Sequence, residues 1–235
     1  SITDANGCTN TLAGQVVIGT YPTPTVDPMV DQSVCEDADL LVNGFSGTPA
    51  GNTYDWVNLT GTDVGFGLNG TGDIGNFTGI NGTGLPIPVT VEVTPTSSDG
   101  CVGLPETFVI TVNPLPVVAF DGGPLTGCEP LIVTFNNLTN PPGAFCEWSF
   151  GDGNVQFGCG SVSNTYTTAG VYDVSLTVTS QEGCQATETY NSYVEVYEQP
   201  VASFSYDPNG DITVEDTEVE FTNTSINANT YTWDF

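Results

Sequence analysis

Not one of the 235 residues is Lys, Arg or His, whereas 28 are Asp or Glu, so the formal charge is −28. Side chains in such a chain cannot form salt bridges. Its fold has to rest on apolar burial, backbone hydrogen bonds and disulfides. The same deficit removes whole classes of chemistry. There is no imidazole or amine to act as general base, Schiff-base nucleophile or nitrogen ligand to a metal. Without cations to displace counter-ions from phosphates, nucleic acid is repelled. Proteases that cut after Lys or Arg have no site. The negative charge must be balanced by cations from the solvent.

Val, Thr, Phe and Tyr are abundant and are punctuated by 28 Gly and 16 Pro, which is the composition of short strands and turns. No stretch is apolar for long enough to span a membrane as a helix, so no membrane insertion is expected of this segment. Alternation predicts strands at 117–120, 132–136, 145–150, 171–179 and 193–197. In VYDVSLTVT, Tyr172, Val174, Leu176 and Val178 share one face, and the intervening polar residues share the other. One buried and one solvated face is the pattern of a two-sheet sandwich. Trp56, Trp148 and Trp233 are each expected to plug such a core.

The chain repeats itself. PVVAF at 116–120 returns as PVASF at 200–204, VTFNNLT at 133–139 as VEFTNTS at 219–225, and CEWSF at 146–150 as YTWDF at 231–235. The period is about 85 residues. Short Pro-bearing stretches near 20–26, 113–118 and 198–203 read as semi-rigid linkers. Four pieces are therefore expected: residues 1–21 as the last strands of a preceding domain, domains at 22–115 and 116–198, and residues 199–235 as the first half of a further, truncated domain.

At WSFGDG (148–153) and TYTTAGVYDVSLTVTSQEGC (165–184) the chain resembles a PKD domain, an immunoglobulin-like sandwich. Tyr166, Gly170, Tyr172, Val174, Leu176 and Val178 occupy the motif's places. Residues 26–115 resemble the PKD-like domain of Bacteroidota repeat proteins, through SVCEDADL, NTYDW, GCVG and TFVITVNPLP. The resemblance implies an all-β chain of tandem immunoglobulin-like, PKD-type β-sandwiches joined by short Pro linkers. It also implies a place in a long cell-surface adhesin or filament protein exported by type IX secretion.

Seven cysteines, with no CxxC pair, point to disulfides in an oxidising, extracellular compartment. Under the PKD reading, Cys35 and Cys101 hold places equivalent to Cys128 and Cys184, and the expected bridges are 35–101 and 128–184. Cys146 and Cys159 flank the Gly151-Asp152-Gly153 turn and are expected to form a local bridge. Cys8 is left over, with a partner in the preceding domain or as a free or intermolecular thiol.

The candidate sites are sparse. Asp152 reads as a turn residue capping backbone N–H groups rather than as a catalytic acid. No cofactor is called for. Calcium is the one ion with candidate ligands, at Glu36, Asp37 and Asp39 or at Asp207, Asn209 and Asp211, although the second set lacks the glycine an EF-hand loop requires. Asn-x-Ser/Thr triplets at Asn58, Asn69, Asn76, Asn81, Asn137 and Asn223 read as chance in an Asn- and Thr-rich bacterial chain. The Gly-rich stretch 64–84 reads as a flexible loop or a contact surface. The expected function is a non-enzymatic, protease-resistant stalk segment of a large extracellular adhesin or filament. Its expected partners are neighbouring repeats or identical subunits, together with surface glycans. The alternatives are a carbohydrate- or matrix-binding module of a secreted hydrolase, and a self-polymerising filament subunit.

Overall fold

The computed structural model describes residues 2–3, 5–6, 9–10, 21–140, 143–207, 209 and 218–235. Among these there is no helix. The chain divides into two compact units, residues 1–112 and 113–235.

The first unit opens with an antiparallel pair, β1 (Ile2–Thr3) and β2 (Thr9–Asn10). Then come β3 (Gln32–Cys35), β4 (Asp39–Leu41), β5 (Thr53–Asn58), β6 (Asn69–Thr71), β7 (Asn76–Thr78), β8 (Ile87–Thr96) and β9 (Glu106–Asn113). They form a five-stranded sheet, ordered β3-β9-β8-β5-β6, and a two-stranded sheet, β4-β7. Alternation decides which residues meet between them. Val89, Val91 and Val93 of β8 and Phe108, Ile110 and Val112 of β9 turn inward, with Tyr54 and Trp56 of β5. The Trp56 indole packs against Gly70, where an added Cβ would stand 2.5 Å from the ring.

The second unit contains β10 (Phe120–Gly123), β11 (Thr126–Cys128), β12 (Leu131–Asn137), β13 (Phe145–Ser149), β14 (Val155–Phe157), β15 (Val162–Tyr166), β16 (Gly170–Thr179) and β17 (Gln185–Tyr197). A five-stranded sheet, β11-β17-β16-β13-β14, faces a three-stranded one, β10-β12-β15. The order of the larger sheet matches that of the first unit strand for strand. Trp148 is fully buried between Phe120 and Phe135, with ring centroids 5.3 and 5.9 Å away. Its indole N–H donates to the Gly158 carbonyl at 3.1 Å. The last pair, β18 (Phe204–Asp207) and β19 (Glu220–Asn223), repeats β10 and β12: Phe204 stands opposite Asn223 as Phe120 stands opposite Asn137.

Three expectations change. Val117 lies outside any strand and is 80% exposed, so the first strand of this module begins at Phe120. The final strand starts at Gln185 rather than Tyr193, because its first half pairs with β16 along its whole length while presenting polar residues to solvent. The Gly-rich stretch 64–84 is part of the sandwich. It supplies β6 and β7, buries Val64 and Phe77, and seats the Asn81 amide on the Val112 and Leu85 carbonyls at 2.8 and 2.7 Å. Its glycines allow tight reversals between short strands: Gly65, Gly67, Gly72 and Gly75 all have positive φ.

Removing the plug tests this account of the core. Trp148→Ala is expected to destabilise the second unit by about 3–5 kcal/mol in urea unfolding, whereas Ile132→Ala, at an exposed position, should cost less than about 1 kcal/mol.

Candidate functional site

The Gly151-Asp152-Gly153 turn is a cap built from amides. Asp152 accepts from the Asn154 backbone N–H and side-chain amide, both at 2.9 Å, and from the Asn164 amide at 2.7 Å. The Asn154 amide also donates to the Asn164 side-chain oxygen at 3.0 Å. Asn164 is buried, so the carboxylate satisfies a polar group that could not reach water. Next to it the Tyr166 hydroxyl donates to the Phe150 carbonyl at 3.1 Å. Burial holds the Tyr166 phenol well above its ordinary pKa; the Asn164 hydrogen bond opposes the shift and the Asp152 charge adds to it. Asp152 thus holds a turn together and faces no cleft. Sequence reading identified the aspartate and missed its two asparagine partners; Asn154 is a local neighbour, whereas the proximity of Asn164 depends on β15 folding back beside the turn.

Of the three expected bridges, the local one is formed and the two long-range ones are not. Cys146 and Cys159 are joined, with Cα atoms 5.0 Å apart, across the β13–β14 hairpin. Cys101 and Cys128 are free thiols, and Cys35 and Cys184 are each disulfide-bonded. Bridges 35–101 and 128–184 are therefore not formed, and strand direction gives the reason. β11 runs parallel to β17, so Cys128 lies beside Tyr197, while Cys184 precedes the other end of that strand. At about 3.3 Å per residue the two are roughly 40 Å apart, where a disulfide needs Cα atoms within about 7 Å. In the first unit Cys35 lies near Val112, at the end of β9, and Cys101 precedes its start. Cys8 lies outside the described residues.

Among the described residues, no grouping of three or more Asp, Glu, His or Cys side chains is placed to hold a metal ion. The first calcium candidate is a turn. Asp37 takes a positive φ of 61° and donates its N–H to Gly79, and the Asp39 carboxylate accepts from the Thr78 hydroxyl at 2.5 Å. Glu36 lies between Cys35 and Asp37 in the same turn. Of the second candidate set, Asp207 ends β18, Asn209 is exposed, and Asp211 lies outside the described residues.

Two groups of aromatic residues reach the surface. Phe145 and Phe157 pack against each other on the outer face of the β13–β14 hairpin, with ring centroids 5.5 Å apart. Trp233 and Phe235 stack with Phe221 and, through Trp233, Phe204 around a cavity of 270 Å³. Trp233 occupies the place that Trp148 fills in the complete module. Among the described residues, no strand equivalent to β16 covers it. Among the described lining residues, Asp234 carries the side-chain carboxylate at this cavity. Of the Asn-x-Ser/Thr triplets, Asn58 and Asn81 are buried and their amides are engaged, which leaves no room for a glycan there.

A family model described as "PKD domain" matches residues 113–196, and one described as "PKD-like domain" matches residues 32–116. The chain belongs to the PKD family. Among solved structures, the PKD1 domain of the Vibrio cholerae metalloprotease PrtV is 30% identical over 34% of this chain and 98% of that one, with a TM-score of 0.29. Drosophila OTK extracellular domains 3–5 are 18% identical over 76% and 61% of the two chains, with a TM-score of 0.42. The N-terminal eight immunoglobulin domains of Down Syndrome Cell Adhesion Molecule are 13% identical over 88% and 28%, with a TM-score of 0.46. Comparison with curated proteins found no match. PKD modules are immunoglobulin-like and typically extracellular, and the disulfides of this chain suit such a compartment.

The PKD turn gives a direct test. Asp152→Ala leaves the buried Asn164 amide short of an acceptor and is expected to cost about 1–3 kcal/mol, read as a lower urea midpoint with an unchanged slope.

Proposed function

We propose that the chain is a load-bearing, non-catalytic stalk segment of a bacterial surface adhesin or filament, exported by type IX secretion. The observation that carries this reading is the parallel pairing of β11 with the end of β17. The strand that follows the module's entry lies beside the strand that leaves it, and both point the same way. Tension between the module's ends therefore shears this patch. Its backbone hydrogen bonds, among them Glu195 N–H to Leu125 and Glu129 N–H to Tyr197, both at 2.9 Å, are loaded together and not broken one by one. The first unit also places its first edge strand, β3, next to its last strand, β9. A polypeptide without Lys or Arg also offers no cut site to trypsin-type proteases outside the cell.

Force spectroscopy on the chain tests this. Each complete module is expected to rupture in one step. Glu129→Pro removes the N–H bonded to Tyr197 and should lower the rupture force of the second module, while its equilibrium stability falls by only about 1 kcal/mol. An unchanged rupture force in that variant would reject the load-bearing role of the β11–β17 patch.

A second reading, a module that binds carbohydrate or matrix, is favoured by the exposed Phe145–Phe157 pair. It predicts glycan-array binding that is lost in Phe157→Ala, and an array without hits at millimolar ligand removes it.

A further inference from the structure

The two free thiols are the halves of a repeated device. Each complete module has one cysteine on its first edge strand, Cys35 on β3 and Cys128 on β11. Each has a second in the turn before its last strand, Cys101 and Cys184. The two turns are built alike. Gly100 and Gly183 have φ of +83° and +88°. Ser97 and Ser180 donate their backbone N–H to the Cys101 and Cys184 carbonyls at 2.9 and 2.8 Å. Their hydroxyls accept from the cysteine N–H at 3.2 and 3.3 Å. Asn6-Gly7-Cys8 repeats the Gly-Cys ending of these turns in sequence.

One cysteine of each kind is oxidised and one is not: Cys35 and Cys184 are disulfide-bonded, and Cys128 and Cys101 are free. Neither oxidised cysteine is joined to the other cysteine of its own module, because those two are the free ones. The separations along β9 and β17 rule out closure within a module.

From this we infer that Cys101 and Cys128 form inter-module disulfides: a first-strand cysteine of the Cys128 kind joins a turn cysteine of the Cys101 kind on another PKD module. Cys128 is exposed and Cys101 half-exposed, so both sulfurs can be reached. The bond forms by loss of two protons and two electrons from the two thiols. A disulfide oxidant of the extracytoplasmic space accepts them by thiol–disulfide exchange and is itself reduced to a dithiol. Chains of formal charge −28 repel one another, and at physiological salt that repulsion is screened beyond about 8 Å. A covalent tie then holds together modules that have no ion pairs with which to attract each other. The inference concerns thiol pairing alone and stands whether or not the array bears load.

The test is a disulfide map of the secreted protein, with free thiols blocked by iodoacetamide at harvest. Digestion without reduction uses glutamyl endoprotease and chymotrypsin, since trypsin has no sites. The expected result is a Cys128 peptide linked to a peptide bearing a Gly-Cys turn. If that partner is Cys101, the mass of the unreduced protein shows whether the two modules belong to one chain or to two copies of it. If it is a Gly-Cys turn of different sequence, the module is another one in the same array. Alkylated Cys101 and Cys128, a small-thiol adduct, a like-with-like link, or linkage of either cysteine to the other one of its own module would each overturn the inference.

Discussion

With no cationic side chain in the molecule, a carboxylate has only N–H and O–H groups to bind, and the architecture is arranged around that limit. Asp31 accepts from the Val109 N–H at 2.8 Å and ties the segment before β3 to β9. Asp63 gathers the N–H groups of Gly65 and Gly67, both at 2.9 Å, at the head of the Gly-rich segment. Asp73 holds Phe45 at 2.8 Å, and Asp173 holds Ser192 at 2.6 Å. Hydrogen bonds to a charged acceptor are stronger than neutral ones. Here they fall at loops, on β9 and at the irregularity between β16 and β17, so acids that elsewhere would pair with Lys or Arg serve to fix backbone N–H groups.

The cores carry what the surface cannot. Both larger sheets have the same strand order, and both bury rows of apolar side chains on their two longest central strands. The two tryptophans are held differently. Trp148 spends its N–H on Gly158, whereas the buried Trp56 N–H has no partner among the described residues and relies on close packing with Gly70. The plug is thus a matter of shape in one module and of shape plus a hydrogen bond in the other.

Much of this was legible in the sequence. The repeat register came through because aromatic and β-branched residues recur in the same phase, and β18–β19 pairs as β10–β12 does. The inward face of β16 was readable from strict alternation. The first half of β17 was not, since QATETYNSY presents polar residues at most of its positions and is recruited by pairing with β16. Residues 64–84 looked loop-like because glycine hides strands as short as Asn69–Thr71 and Asn76–Thr78. The disulfides failed for a topological reason. Sequence equivalence correctly matched Cys35 with Cys128 and Cys101 with Cys184 as positions, but no local pattern reveals that β11 runs parallel to β17 and so places the two kinds of cysteine at opposite poles.

The small bridge across the β13–β14 hairpin sets a limit on extension. When a module is pulled out into a thread, the chain between Cys146 and Cys159 stays looped, and its ends remain 5.0 Å apart. At up to about 3.5 Å per residue, that withholds roughly 40 Å of slack. A fibre of such modules would lengthen less per rupture than its residue count implies, and a reductant would release the stored slack.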